Sequence, residues 1–212
     1  MQDLFKRLPR AQQPPFTWLF IGPQGTRSPL HMDVWYTDTW VAQLDGKKSW
    51  KLFPPSELEK IRTGDDDKSA TSSRGYVDLQ NIDHERFPRV HEAVYWSHVI
   101  EPGQLLYVPS RWAHEVVSLE AGVSLSTNFL AEPHAKIVVS NMAASVVCNQ
   151  LADGVELAPK ERFIALMQQR LKLTKALGLT AGNTPQHSSK HSTERERERH
   201  STDARTHSQR AE

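Results

Sequence analysis

Residues 101–129 read EPGQLLYVPSRWAHEVVSLEAGVSLSTNF, three short apolar runs cut by turn residues. Pro102-Gly103 and Pro109-Ser110 punctuate the runs, and none is long enough to be a helix, so "QLLYV" (104–108), "AHEVVSL" (113–119) and "GVSLSTNFL" (122–130) are expected to be strands. Side chains alternate across a strand, which puts Ser124, Ser126 and Asn128 on one face of the last run and Val123, Leu125 and Phe129 on the other. A polar row on one side of an apolar strand needs partners if that side is buried.

Working outward from this stretch, five more runs carry the same signature: "TWLFIG" (17–22), "PLHMD" (29–33), "TWVAQLD" (39–45), "KKSWKLF" (47–53) and "VYWSHV" (94–99). Eight closely spaced strands, with no helix available to cross over between parallel neighbours, predict a mainly β fold, a jelly roll or small antiparallel barrel. The polar connection 54–93 separates the fourth and fifth runs, and a link of that length is usually functional or unstructured. Its stretch 63–75 is expected to be mobile and its later part, "YVDLQNIDHERFP", to pack on the barrel rim. Beyond Phe129, "AKIVVSNMAASVVCNQLA" and "APKERFIALMQQRLKLTKALGL" space their apolar residues by three and four, the period of a helix face. From Ala181 onward there is no Val, Ile, Leu, Met or aromatic residue to offset the entropy of ordering. The expected organisation is a lead-in at 1–15, a β domain at 16–132, helices at 133–180 and a disordered tail at 181–212.

The chain has 212 residues, 38% of them hydrophobic, which suits one sizeable core. Its 26 Lys and Arg nearly cancel 25 Asp and Glu, so the net charge of +1 gives nucleic acid or a membrane surface no whole-molecule attraction. The alternating "ERERER" of the tail cancels in the same way. One cysteine, Cys148, precludes an internal disulfide, and no apolar run approaches the ~20 residues of a membrane span. An intracellular location, nucleus or cytoplasm, is expected.

His31-Met32-Asp33 is a weak signal alone, because ten His and 25 carboxylates in this length give about one chance H-x-[D/E]. On a strand, however, the imidazole and carboxylate point the same way. Two ligands leave Fe(II) underbound, and a site of two histidines and one carboxylate takes a third protein ligand while keeping positions open. His114, at the head of "HEVVSL" after the Pro-Ser-Arg turn, is the best candidate for that third ligand. In "GKKSWKLFPP", Lys48 shares a face with Trp50 and Leu52 while Lys47 and Lys51 share the other, so Lys48 is expected to point inward and to need an anion. With the hydroxyls and amide of the last strand it would suit a small dicarboxylate.

Three motifs, "GPQGTRSPLHMD", "GKKSWKLFPP" and "EPGQLLYVPSRWAHEVVSLEAGVSLSTNF", resemble in this order the JmjC domain of Fe(II)- and 2-oxoglutarate-dependent oxygenases, in its small hydroxylase branch, over about residues 16–130. The resemblance implies a double-stranded β-helix of the cupin superfamily, iron on His31, Asp33 and His114, and the distal carboxylate of 2-oxoglutarate on Lys48. It further implies that Ser28, Thr39 and Asn128 line the co-substrate pocket, where Ser126 of the polar row would join them. The chain departs from the family at Val41, where some members carry Asn, and in the short lead-in, 1–15, before its β domain.

The implied activity is a dioxygenase that uses O2 and 2-oxoglutarate to hydroxylate a protein side chain, as lysyl hydroxylases do; removal of an N-methyl group from lysine or arginine uses the same chemistry. The alternatives are a cupin-like binding or scaffold module without turnover, possible as a homodimer through the C-terminal helices, and a tRNA-modifying hydroxylase, which the charge balance does not favour. A rival metal set, His84, His91 and His98, recurs every seven residues, but Pro88 interrupts any shared helix.

Overall fold

The computed structural model describes residues 2–63, 75–152, 159–179 and 208–210. Eight strands follow one another as β1 (Thr17–Gly22), β2 (Arg27–His31), β3 (Asp38–Asp45), β4 (Lys48–Phe53), β5 (Val94–Ile100), β6 (Leu105–Val108), β7 (Ala113–Ser118) and β8 (Gly122–Phe129). Each pairs antiparallel with its neighbours, in the order β1-β8-β3-β6 in one sheet and β2-β7-β4-β5 in the other. This alternation of early and late strands is the winding of a jelly roll, in which the chain crosses between two facing sheets at nearly every turn.

Alternation decides which side chains enter. In β8 the polar residues are the buried ones, with Ser124, Ser126 and Asn128 at 0%, 6% and 5% exposure, while Val123 and Leu125 are half-buried. β3 answers with Thr39, Val41 and Gln43, and β4 with Trp50 and Leu52, all buried. The interior between the sheets is therefore part polar, part apolar, its apolar share being Val41, Trp50, Leu52, Ile100, Val108 and Val116.

The outer face of the second sheet carries a separate core. Leu30, Met32, Phe53 and Ala113 pack there beneath Tyr76, Val77, Phe87 and Val90, which come from the long connection. The later half of 54–93 thus packs on the outer face of this sheet, because its apolar residues match the outward alternation of β2 and β7. The expected mobile stretch falls largely on 64–74, outside the described residues.

Ala135–Ala152 and Pro159–Ala176 form α-helices, here α2 and α3, after the single-turn α1 (Leu58–Ile61). The lead-in is folded against them. Leu4, Phe5 and Leu8 join Leu130, Val138, Val139, Met142 and Leu177 in one cluster, and Leu4 N–H donates to the Leu130 carbonyl at 2.9 Å. Within the tail expected to lack a fold, Ser208–Arg210 form a short strand, β9, along β5. β5 is otherwise an edge, and its unpaired backbone groups accept such an addition. Among the described residues no helix is long and apolar enough to cross a membrane.

Candidate metal and co-substrate site

β2 and β7 pair with His31 directly opposite His114, and a bulge between Ser28 and His31 sets this register. The strand ends at His31, two residues short of the run expected from sequence, because Trp35 and Tyr36 turn the chain through left-handed conformations (φ 52° and 62°). Asp33 nonetheless keeps extended backbone angles, φ −69° and ψ 158°, so it still faces the side His31 faces. One ligating atom from each of His31, Asp33 and His114 lies within 4.8 Å of the others. Among the described residues this is the one group of three or more His, Cys, Asp or Glu gathered closely enough to hold a metal. His84, His91 and His98 are exposed on a turn, a 3-10 turn and β5, and do not meet.

Both imidazoles are tethered in the same manner. His31 Nδ1 lies 2.7 Å from the Pro29 carbonyl and His114 Nδ1 lies 3.1 Å from the Trp112 carbonyl. A carbonyl only accepts, so each Nδ1 carries the proton and each Nε2 keeps its lone pair. Burial, followed by the neighbouring His114, pushes the His31 pKa down to about 4, which keeps the ring neutral as a ligand requires. The rings stand 4.4 Å apart at 56°, and Trp50 stacks on His114 at 5.7 Å.

Asp33 Oδ2 is buried and has no hydrogen-bond partner. An orphaned buried carboxylate oxygen is costly unless a cation or donor meets it, and two free Nε2 atoms beside it make a metal ion the group that fits. This is the donor set of two nitrogens and one oxygen that leaves a divalent iron with open positions.

Lys48 points inward as its alternation requires, and Nζ donates to Ser124 Oγ at 2.6 Å across the gap between the sheets. Burial lowers its pKa. No carboxylate among the described residues pairs with it, whereas exposed Lys47 pairs with Glu101 at 3.2 Å. Thr39, Ser126 and Asn128 come together on β3 and β8: Thr39 Oγ1 lies 3.2 Å from Ser126 Oγ and donates to Asn128 Oδ1 at 3.3 Å. Asn128 Nδ2 in turn donates to Thr37 Oγ1 at 2.9 Å. Ser28 stands apart from this group; it is exposed on β2, opposite Val116.

Two interior residues were not singled out from sequence. Gln43 Oε1 and Trp50 Nε1, an acceptor and a donor, are buried without partners on β3 and β4. The alternation that found Lys48 already placed Trp50 inward, and applied to β3 it would have found Gln43 beside Thr39 and Val41. A third feature had no local signal. Asp38, wholly buried, accepts from Tyr107 Oη at 2.6 Å, from Ser110 N–H at 3.2 Å and from His134 Nδ1 at 2.8 Å, residues 69, 72 and 96 positions away. The carboxylate raises the Tyr107 pKa, though burial raises it more.

A double-wound β barrel with a histidine on its second strand, an aspartate just beyond that strand's end and a histidine on its seventh strand defines the class, a cupin. The chain belongs to the cupin-like domain family, whose profile matches residues 2–135. It is 31% identical over 116 residues to the 2-oxoglutarate and iron-dependent oxygenase JMJD4 of Mus musculus, covering 54% of this chain and 26% of that protein. It is 34% identical over 107 residues to lysine-specific demethylase 8 of Xenopus tropicalis, 50% of this chain and 23% of the relative. HSPB1-associated protein 1 of Homo sapiens is 34% identical over 136 residues, 61% of this chain and 27% of the relative. The chain thus matches about a quarter of each relative's length.

Proposed function

We propose that this barrel is the catalytic domain of an Fe(II)- and 2-oxoglutarate-dependent dioxygenase acting on a protein side chain. The observation that carries the reading is the convergence of His31, Asp33 and His114 within 4.8 Å, with Asp33 Oδ2 unpartnered. His31 Nε2, His114 Nε2 and an Asp33 oxygen would hold the iron. Bound iron supplies the oxidation: 2-oxoglutarate and O2 become succinate and carbon dioxide while one oxygen atom enters a substrate C–H bond.

The chain's own residues bind and orient. Lys48 would pair its ammonium with the far carboxylate of 2-oxoglutarate, with Ser124 supporting that ammonium at 2.6 Å. Thr39, Ser126 and Asn128 supply further polar contacts on the facing sheet, and Trp50, Val41 and Val116 exclude water around them. The names of the mouse and frog relatives, an iron-dependent oxygenase and a lysine demethylase, support the cofactors and a protein substrate; hydroxylation and N-methyl removal require the same groups here.

Anaerobic titration of the purified chain with Fe(II) and then 2-oxoglutarate tests the reading. A visible charge-transfer band saturating at one iron per chain is expected, and His31→Ala, Asp33→Ala and His114→Ala should each abolish it, because a two-point site loses to water. A wild-type protein that binds neither ion nor keto acid would leave a binding module as the better description.

A further inference from the structure

A cleft of about 670 Å³ lies beside the barrel mouth, between the β6–β7 turn and helices α2 and α3. Its polar lining is Arg111, His134, Lys136, Arg170, Ser110 and Ser140, and no carboxylate lines it. Arg111, Lys136 and Arg170 have no ion-pair partner among the described residues, unlike Arg27, Lys47, Lys60 and Arg89, which all pair with carboxylates. Three cations brought together without counterions repel one another and leave a standing demand for negative charge.

The cleft is held in shape by buried polar bonds. Asp38 fixes His134 through Nδ1 at 2.8 Å, so the opposite ring edge is free of that bond. Ser110 is pinned twice, by its N–H to Asp38 and by its Oγ to the Tyr36 carbonyl at 2.6 Å. These bonds, with Trp112 N–H donating to the Pro109 carbonyl at 3.2 Å, hold Arg111 at φ 67°, a left-handed conformation costly for any residue with a Cβ. Trp112 and Ile137 supply apolar wall. The cleft also adjoins the site itself: the Trp112 carbonyl tethers His114, and the Tyr36 carbonyl belongs to the turn that follows Asp33.

We infer that this cleft docks an acidic segment of the protein that the barrel oxidises, presenting a residue nearby in that segment to the metal site. The inference rests on the oxygenase reading for its consequence, and on Arg111, Lys136, Arg170 and His134 for the binding. The cations are gathered in one pocket and the chain's net charge is +1, so the ligand is a short acidic peptide and not a nucleic-acid backbone, which needs a basic track. Arginine's planar fork suits carboxylates and phosphorylated side chains alike.

The test is fluorescence anisotropy of the full chain with fluorescein-labelled hexaglutamate in 50 mM salt. Saturable binding is expected, weakened at least tenfold in the double variant Arg111→Gln/Arg170→Gln and about threefold in Lys136→Gln, whose exposed side chain keeps folding out of the comparison. Lys172→Gln/Lys175→Gln, on the exposed side of α3, should bind within twofold of wild type. Equal weakening by both double variants would mean diffuse charge attraction and would overturn the cleft. A labelled dodecathymidylate that bound more tightly than hexaglutamate, and lost binding with the same two arginines, would overturn the peptide assignment. The charge-transfer band with Fe(II) and 2-oxoglutarate is read separately and should be unchanged in Arg111→Gln/Arg170→Gln. Loss of the band in wild type with peptide binding intact would sink the oxygenase reading and leave the acidic-segment site standing.

Discussion

Lys48 owes its place in the barrel to strand alternation. Three lysines fall within five positions, and alternation alone separates them: Lys47 is exposed and paired with Glu101, Lys51 lies over the outer ring of Tyr95 at 5.5 Å, and Lys48 enters the barrel. Its pKa is lowered by burial, so the folded protein holds its charge at a cost, and a bound carboxylate would remove that cost. Lys48→Met should therefore leave the melting temperature of the ligand-free protein unchanged or higher, yet weaken 2-oxoglutarate by ~30- to 150-fold, the equivalent of about 2–3 kcal/mol for a charge-assisted bond. Lys47→Met and Lys51→Met should change affinity less than twofold. Calorimetric titration of 2-oxoglutarate into the Fe(II)-loaded variants measures this, and a large loss with Lys47→Met in place of Lys48→Met would reverse the inward face of β4. The shared side of His31 and Asp33 was legible for the same reason as Lys48, a two-residue period, and His114, which the fold gathers with them, was legible from its place at the head of a strand after the Pro-Ser-Arg turn. Asp38 and His134 were not. Their bond joins residues 96 positions apart, and nothing local to "TDTW" or "EPHA" distinguishes a buried carboxylate from a solvated one.

At the scale of elements, the boundaries of the eight strands β1–β8 agree with the sequence reading to within one residue for all except β2, where the left-handed Trp35–Tyr36 turn and the bulge after Ser28 shift the strand two residues toward the N-terminus. Such a shift has no compositional mark, since Trp and Tyr are common in strands and rare at positive φ. Glycine in the turns is easier to interpret. Gly46 links β3 to β4 at φ +69°, and a Cβ there would come within 2.4 Å of the Ala121 carbonyl oxygen, while one on Gly122 would come within 2.2 Å of the Asp45 carbonyl oxygen. The β3–β4 and β7–β8 turns thus touch backbone to backbone, and this contact fixes how β4, carrying Lys48, sits against β8, carrying Ser124. Gly46→Ala combines an overlap with a strained φ and should destabilise the fold by about 2–4 kcal/mol in urea unfolding. Gly25→Ala, with nothing within 4 Å of its Cβ but φ +83°, should cost only the backbone strain, about 1 kcal/mol. If the two variants unfolded at the same urea concentration, the turn-to-turn contact would not be a constraint on the barrel.

For the whole molecule, the question is whether the helices are an appendage or part of the unit that holds the metal site. Their apolar faces turn inward onto the lead-in, so Leu4, Phe5, Leu130, Val138, Val139 and Leu177 form one buried cluster, and Arg7 Nη1 donates to the Leu177 carbonyl at 3.0 Å. Phe16 and Trp35 also pack on this cluster, with their rings 5.2 Å apart. Trp35 is two residues from Asp33. The helices therefore buttress the turn that follows Asp33, the candidate carboxylate ligand, and the first and last parts of the domain close on each other around it. All six tryptophans lie at or before Trp112, so tryptophan fluorescence follows the barrel while ellipticity at 222 nm weights the helices. One cooperative unit requires the two signals to unfold together. Leu177 is fully buried, and Leu177→Ala, a cavity in that shared cluster, should destabilise by about 2–5 kcal/mol and move both transitions by the same amount. The same variant should weaken Fe(II) binding, because a loosened Trp35 no longer holds Asp33 toward the two imidazoles; a shift in ellipticity alone, with fluorescence and iron affinity unchanged, would make the helices a separate folding unit.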